Sequence, residues 1–68
     1  MLQVVINGQA HQFEEPLSIE TLLQQLQISQ DHGVAVALND TIVLKSKFSQ
    51  TFIKDGDRLE IIHATAGG

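Results

Sequence analysis

Leu17-Ser18-Ile19-Glu20-Thr21-Leu22-Leu23-Gln24-Gln25-Leu26-Gln27 carries the helical period of this chain, and its place between two strand-rich halves decides the fold. Ile19, Leu22, Leu23 and Leu26 fall at i, i+3, i+4 and i+7, one apolar stripe, while Gln24, Gln25 and Gln27 fall on the opposite face. Ser18 is placed to cap the first free amides, so the helix is expected to begin at Ile19. Glu20 suits the positive end of the helix dipole, and Leu17 and Leu22 occupy the hydrophobic-staple positions. Such a stripe is about one sheet wide.

Outward from the helix, both flanks read as strands. Leu2, Val4 and Ile6 alternate with Gln3, Val5 and Asn7, the period of a half-buried strand, and Asn7-Gly8 supplies the two positive-φ positions of a type I′ hairpin turn. A second strand is expected over about 10–14, where His11 and Phe13 oppose Ala10 and Gln12 without a clean apolar stripe. Beyond the helix, Gln30-Asp31-His32-Gly33 is a polar break. Val34 to Leu38 follows as a β-branched apolar run, and Asn39-Asp40 turns it into Thr41-Ile42-Val43-Leu44. Residues 45–51 have neither period and predict a loop with a short helical turn, from which Phe48 and Phe52 are expected to fold inward. After the turn at Asp55-Gly56-Asp57, the last strand over 58–63 puts Leu59 and Ile61 on one face and Arg58, Glu60 and Ile62 on the other.

The order is therefore ββαβββ. Two hairpins and one helix in 68 residues leave no material for a second helical layer, so a single sheet must cover the stripe. The first and last strands are expected to pair in parallel at its centre, through a right-handed crossover. This is the α+β, β-grasp or ubiquitin-like arrangement: a mixed sheet of four to five strands on one helix. The expected division is a β-grasp domain over 1–63 and a flexible C-terminal diglycine tail over 64–68.

Composition narrows the chemistry. A domain of this size buries about 60% of the surface its unfolded chain exposes, too little for both a core and an enclosed active site. There are no cysteines, so no side chain forms a disulfide, a thiolate zinc site or a persulfide. Only Lys45, Lys47, Lys54 and Arg58 are permanent cations, and the net charge of −4 argues against nucleic acid. No apolar run approaches the roughly 20 residues that span a bilayer, and the sequence opens on a strand pattern, so a cytoplasmic address without a membrane partner is expected.

The side chains offer little catalysis. His11, His32 and His63 lack ligand-like spacing. Glu14-Glu15 are adjacent strand-end residues that point apart, and Ser18 is better used as a cap. Gly8, Gly33 and Gly56 sit in separate turns and make no phosphate loop, while Lys45 and Lys47 read as solvated. Two features remain. Val5 and Ile62 are expected to point outward from adjacent central strands, as an apolar docking patch or as two ordinary exposed side chains. Ala66-Gly67-Gly68 closes the sequence. Two glycines without Cβ atoms make a thin tip, and residues 64–68 extended span roughly 17 Å. A frayed terminus is the plain alternative.

The segments Ile6-Asn7-Gly8, Val34-Ala35-Val36-Ala37-Leu38-Asn39 with Ile42-Val43, Asp55-Gly56-Asp57-Arg58-Leu59-Glu60-Ile61-Ile62 and Ala66-Gly67-Gly68, in this order and spacing, resemble the ThiS family, the sulfur carrier proteins of thiamine biosynthesis. The resemblance covers essentially the whole chain. It departs where many relatives carry Pro-Arg and then Trp or Tyr, against Leu44-Lys45 and Phe48 here, although a cation and an aromatic ring are kept.

The resemblance implies that Gly68 is the covalent carrier, with Gly67 and Ala66 giving access, and that the protein is a co-substrate, not an enzyme. A carboxylate resists nucleophiles and must be activated first; its implied partner is an E1-like adenylyltransferase, ThiF-like, that uses ATP and magnesium. Sulfur from a cysteine desulfurase or another relay then gives a thiocarboxylate, which donates to a ThiG-like thiazole synthase. No cofactor is expected on this chain itself. Molybdopterin synthesis and protein modification use related diglycine carriers, and a β-grasp interaction module with inert terminal glycines is the alternative of another class.

Overall fold

The computed structural model describes residues 1–28 and 33–63. The order is β1 (Leu2–Ile6), β2 (Gln9–Phe13), α1 (Ile19–Gln25), β3 (Val34–Leu38), β4 (Thr41–Val43), a 3-10 turn (Lys45–Lys47) and β5 (Arg58–His63). One five-stranded sheet runs β2-β1-β5-β3-β4. β1 and β5 are parallel, as Val5 beside Arg58 and Ile6 beside Leu59; the three other pairings are antiparallel. The expected ββαβββ order and central parallel pair are present. The polar break at Gln30-Asp31-His32 and the tail at 64–68 lie outside the described residues.

Alternation sorts the core. Leu2, Val4 and Ile6 of β1, Val36 of β3 and Leu59 and Ile61 of β5 are buried, and they meet Ile19, Leu22 and Leu23 of α1. Each such side chain contributes about 1.5–3 kcal/mol on leaving water, so a helix of 7 residues, too short to persist alone, is held by its apolar face. His11 and Phe13 settle the side of β2 that alternation left open. They lie opposite Val4 and Leu2, Phe13 is buried, and the two rings stack with centroids 6.2 Å apart.

Both ends of α1 are closed. The Ser18 side chain accepts from the Thr21 amide at 3.1 Å and donates to Thr21 Oγ1 at 3.0 Å. The Ile19 amide donates to the Thr51 carbonyl at 3.0 Å and the Glu20 amide to the Phe48 carbonyl at 3.2 Å. A loop far along the chain thus satisfies helix donors that otherwise need water. At the other end Leu26 is the C-cap, and Gln27 takes φ 60°; its amide donates to Gln24 and that of Ile28 to Leu23, the paired bonds of a Schellman ending.

Three expectations need correction. Phe48 is buried as expected, but Phe52 is 53% exposed. Residues 52 and 53 run extended beside Ser18, the Ile53 amide donates to the Leu17 carbonyl at 2.7 Å, and Ile53 takes the inward side, which sends its neighbour outward. Second, β2 spans Gln9–Phe13, one residue earlier than expected, because the Asn7-Gly8 turn closes with two residues. Glu14 and Glu15 therefore lie past the strand, exposed. Third, α1 ends before Leu26 and β4 before Leu44.

Two stability changes are expected. Ser18→Ala removes a buried hydroxyl with two hydrogen bonds and should lower unfolding free energy by about 1–2 kcal/mol. Gln27→Gly relieves the left-handed C′ position and should raise it by about 0.5–1 kcal/mol. Urea denaturation at fixed m-value reads both, and a loss of stability in Gln27→Gly would contradict the Schellman assignment.

Candidate functional site

β5 is the central strand and the last described element, and it is held on both flanks. On the β1 side the Val5 amide donates to Asp57 and the Asn7 amide to Leu59, each at 3.0 Å. Asn7 then enters its turn with φ 50°, and Gly8 follows with φ 84°. No neighbour crowds Gly8; its left-handed backbone is what calls for glycine. The Asn7 side chain bends back onto β5: Oδ1 accepts from the Ile61 amide at 2.8 Å and Nδ2 donates to the Ile61 carbonyl at 3.2 Å.

The start of β5 is clasped in the same manner. Asn39, at φ 51° in the β3–β4 turn, accepts from the Arg58 amide and donates to Asp57 Oδ1, both at 3.0 Å, while its own amide donates to the Arg58 carbonyl at 2.8 Å. Asp57 Oδ2 accepts from the Lys54 amide at 2.7 Å, and Asp55 Oδ1 accepts from the Gln3 amide at 2.7 Å. These bonds tie the Asp55-Gly56-Asp57 turn, with Gly56 at φ 89°, to β1 and to the β3–β4 turn.

The sheet face away from α1 carries the residues expected to dock a partner. Ile62 is 56% exposed, but its cross-strand neighbour is Ala35, whereas Val5 is half-buried beside Arg58. The two share a face without meeting, because Ile62 lies four positions along β5 from Arg58, the neighbour of Val5. A second aliphatic side chain, Ile42, stands 63% exposed opposite Ala37 on β4. Ile42, Ala35 and Ile62 are exposed on this face, whereas Ala37 is buried and has Glu60 as its β5 neighbour. Ile42 was legible from the alternation of Thr41-Ile42-Val43, and the register that groups it with Ile62 was not.

Val5 instead lines a cavity of about 230 Å³ together with Asn7, Gly8, Asp40, Arg58, Leu59 and Glu60. That lining holds the carboxylates of Asp40 and Glu60 and the guanidinium of Arg58, but no hydroxyl, imidazole, amine or thiol. Elsewhere, Lys45 and Lys47 are exposed on the 3-10 turn, His11 is engaged with Phe13, and Ser18 is committed to its cap. Among the described residues no three His, Cys, Asp or Glu converge as metal ligands, and no helix is long and apolar enough to cross a membrane. Ala66, Gly67 and Gly68 lie outside the described residues.

Comparison with known proteins adds independent observations. The family model described as the ThiS family matches residues 4–68. The chain is 34% identical to the sulfur carrier protein ThiS of Escherichia coli over 67 residues, covering 98% of this chain and 100% of that protein. It is 39% identical to a thiazole synthase of Paramagnetospirillum magneticum over 98% of its own length, but it spans only 20% of that relative. The crystal structure of the thiamine biosynthesis protein ThiS from Geobacter metallireducens superposes with a TM-score of 0.84 at 30% identity, covering 98% of this chain and 100% of that one. A sheet of order β2-β1-β5-β3-β4 on a single helix is the β-grasp of that structure, and the chain belongs to the ThiS family.

Proposed function

We propose that this chain is a sulfur carrier of thiamine biosynthesis, not an enzyme, and that its covalent site is the carboxylate of Gly68. The observation that carries the reading is the match to the family through residue 68, Ala66-Gly67-Gly68 included, on a chain the length of a known carrier. The cavity on the described body, whose lining has no hydroxyl, imidazole, amine or thiol, is consistent with chemistry placed at the end group.

A terminal carboxylate has a reference pKa of roughly 3.3–3.7 and is an anion at neutral pH, a poor acceptor for sulfur. An E1-like adenylyltransferase would join it to the α-phosphorus of ATP, releasing pyrophosphate; ATP and magnesium bind that enzyme, not this chain. The acyl adenylate has a good leaving group. The terminal sulfur of a persulfide, supplied by a cysteine desulfurase or another relay, displaces AMP to give an acyl disulfide, and a thiol then reduces its S–S bond and leaves a thiocarboxylate on Gly68. Gly67 and Ala66 let the end enter a narrow site.

A thiazole synthase is the acceptor this reading favours. One relative of that name contains, within a fifth of its length, a stretch similar to this whole chain. Covalent linkage of two parts raises their effective concentration to the millimolar range for short linkers, of use when one part must meet the other. The ATP requirement points to the cytoplasm as the compartment.

Intact-mass measurement tests the reading. After incubation with ATP, magnesium, the adenylyltransferase and a sulfur source, the expected mass gain is the exchange of one oxygen for sulfur, localised to Gly68. A chain lengthened by one alanine after Gly68 should gain nothing, because the reacting carboxylate has moved. An unmodified Gly68 beside an activating enzyme that turns over its own carrier would overturn the assignment.

A further inference from the structure

We propose that the outer edge of β2 is a pairing surface for a second copy of this chain, the two β2 strands running antiparallel about His11 so that both sheets join into one. The proposal does not depend on the carrier reading above.

The bonds of β1 settle which groups of β2 face outward. The Val5 and Asn7 amides donate to Asp57 and Leu59, the Gln3 amide donates to Asp55, and the Gln3 carbonyl accepts from Gly56. The main chain of Leu2, Val4 and Ile6 therefore faces β2, where Phe13, His11 and Gln9 lie opposite. Ala10 and Gln12 alternate with these, so their amides and carbonyls point off the sheet. No strand lies on that side, and no turn or loop bond among the described residues reaches them.

The two edges of the sheet are treated differently. β4 has 3 residues and runs at once into the 3-10 turn, where the Leu44 carbonyl accepts from the Lys47 amide at 2.8 Å. Its edge is short and partly closed. β2 has 5 residues, all in register with β1, and contains no lysine, proline or bulge of the kind that blunts an edge.

A second copy fits this edge in a register that the outward groups define. Copies related by a two-fold axis exchange bonds only where outward-facing residues meet. With the axis at His11, all of β2 pairs with all of its copy: Gln9 beside Phe13, Ala10 beside Gln12, and His11 beside His11 of the copy. Centring on Ala10 or Gln12 instead pushes part of the strand onto a turn. The His11 register also separates the carboxylates, because Glu14 falls beside Gly8 and Glu15 beside Asn7. Like charges directly opposite would destabilise the pair. Nothing lies within 4 Å of where a Gly8 Cβ would stand, so that side of the turn has room.

So short a strand pair is small against the roughly 800 Å² per partner of a stable interface, and the association is accordingly weak and reversible. Two bodies of net charge −4 also repel, so added salt strengthens it. Sedimentation equilibrium of the full chain should show monomer passing toward dimer as concentration rises to about 1 mM, further at about 0.5 M than at about 0.05 M salt. Over the same range, amide hydrogen exchange should slow about threefold or more at Ala10 and Gln12 and stay constant at Ile42.

Two variants test the edge and its register. Ala10→Pro removes an outward amide and keeps the bonds to β1, since proline fits an edge strand whose N–H faces solvent. It should stay monomeric at every concentration with wild-type exchange across β5. The chain has no cysteine, so His11→Cys supplies a single thiol opposite its own copy, within disulfide reach. Oxidised glutathione should link His11→Cys into dimers at least about fivefold faster than Gln12→Cys, whose neighbour is Ala10. A wild-type chain monomeric at about 1 mM, an Ala10→Pro chain that still dimerises, or faster linkage at position 12 than at 11 would each overturn the proposal. Exchange that slows at Ala10 and Gln12 only when a thiazole synthase or an adenylyltransferase is added would give the edge to that protein and overturn self-pairing as well.

Discussion

The parallel pairing of β1 with β5 is the constraint from which the architecture follows. Strands adjacent in space but from opposite ends of the chain require everything between them to cross over one face of the sheet. β2 can then only flank β1, and β3 and β4 only flank β5. α1 must cover the face that Val4, Ile6, Leu59 and Ile61 share. The short helix owes its stability to this arrangement, and the segment that satisfies its first amides, near Phe48 and Thr51, is itself held in place by the same core through Phe48 and Ile53.

Polar satisfaction explains why the described body is chemically quiet. Its buried side-chain polar atoms all have partners among the described residues. Ser18 is spent on Thr21, and the asparagines and Asp57 are spent on main-chain groups of the turns. Groups committed in this way are held in one geometry and are not available for proton transfer or ligand binding. On the sheet face away from α1, Ile42 and Ile62 stand exposed beside the charged side chains of Arg58 and Glu60.

Much of the fold is legible in the residues because local and global preferences agree. The stripe Ile19, Leu22, Leu23, Leu26 marks the helix, Ser18 its start, and Asn7-Gly8 the first hairpin, each through a rule acting over a few neighbours. Phe52 fails for the same reason. Aromatic character argues for burial, but Phe52 and Ile53 compete for one inward position, and the bond from the Ile53 amide to Leu17 decides it. The docking pair fails differently. Val5 and Ile62 lie on adjacent strands of one face, yet the register of β1 on β5 places Arg58 next to Val5. Register between strands more than fifty residues apart in sequence leaves no mark on either strand alone.

The sequence by itself determined the element order, the helix cap, the turns and the diglycine end, because each depends on side chains near one another along the chain. Only the tertiary structure decided that Asn7 and Asn39 hold β5 as well as turning their hairpins. Their amides reach main-chain groups 54 and 19 residues away, and no local rule distinguishes an asparagine that merely tolerates positive φ from one that also completes a distant strand.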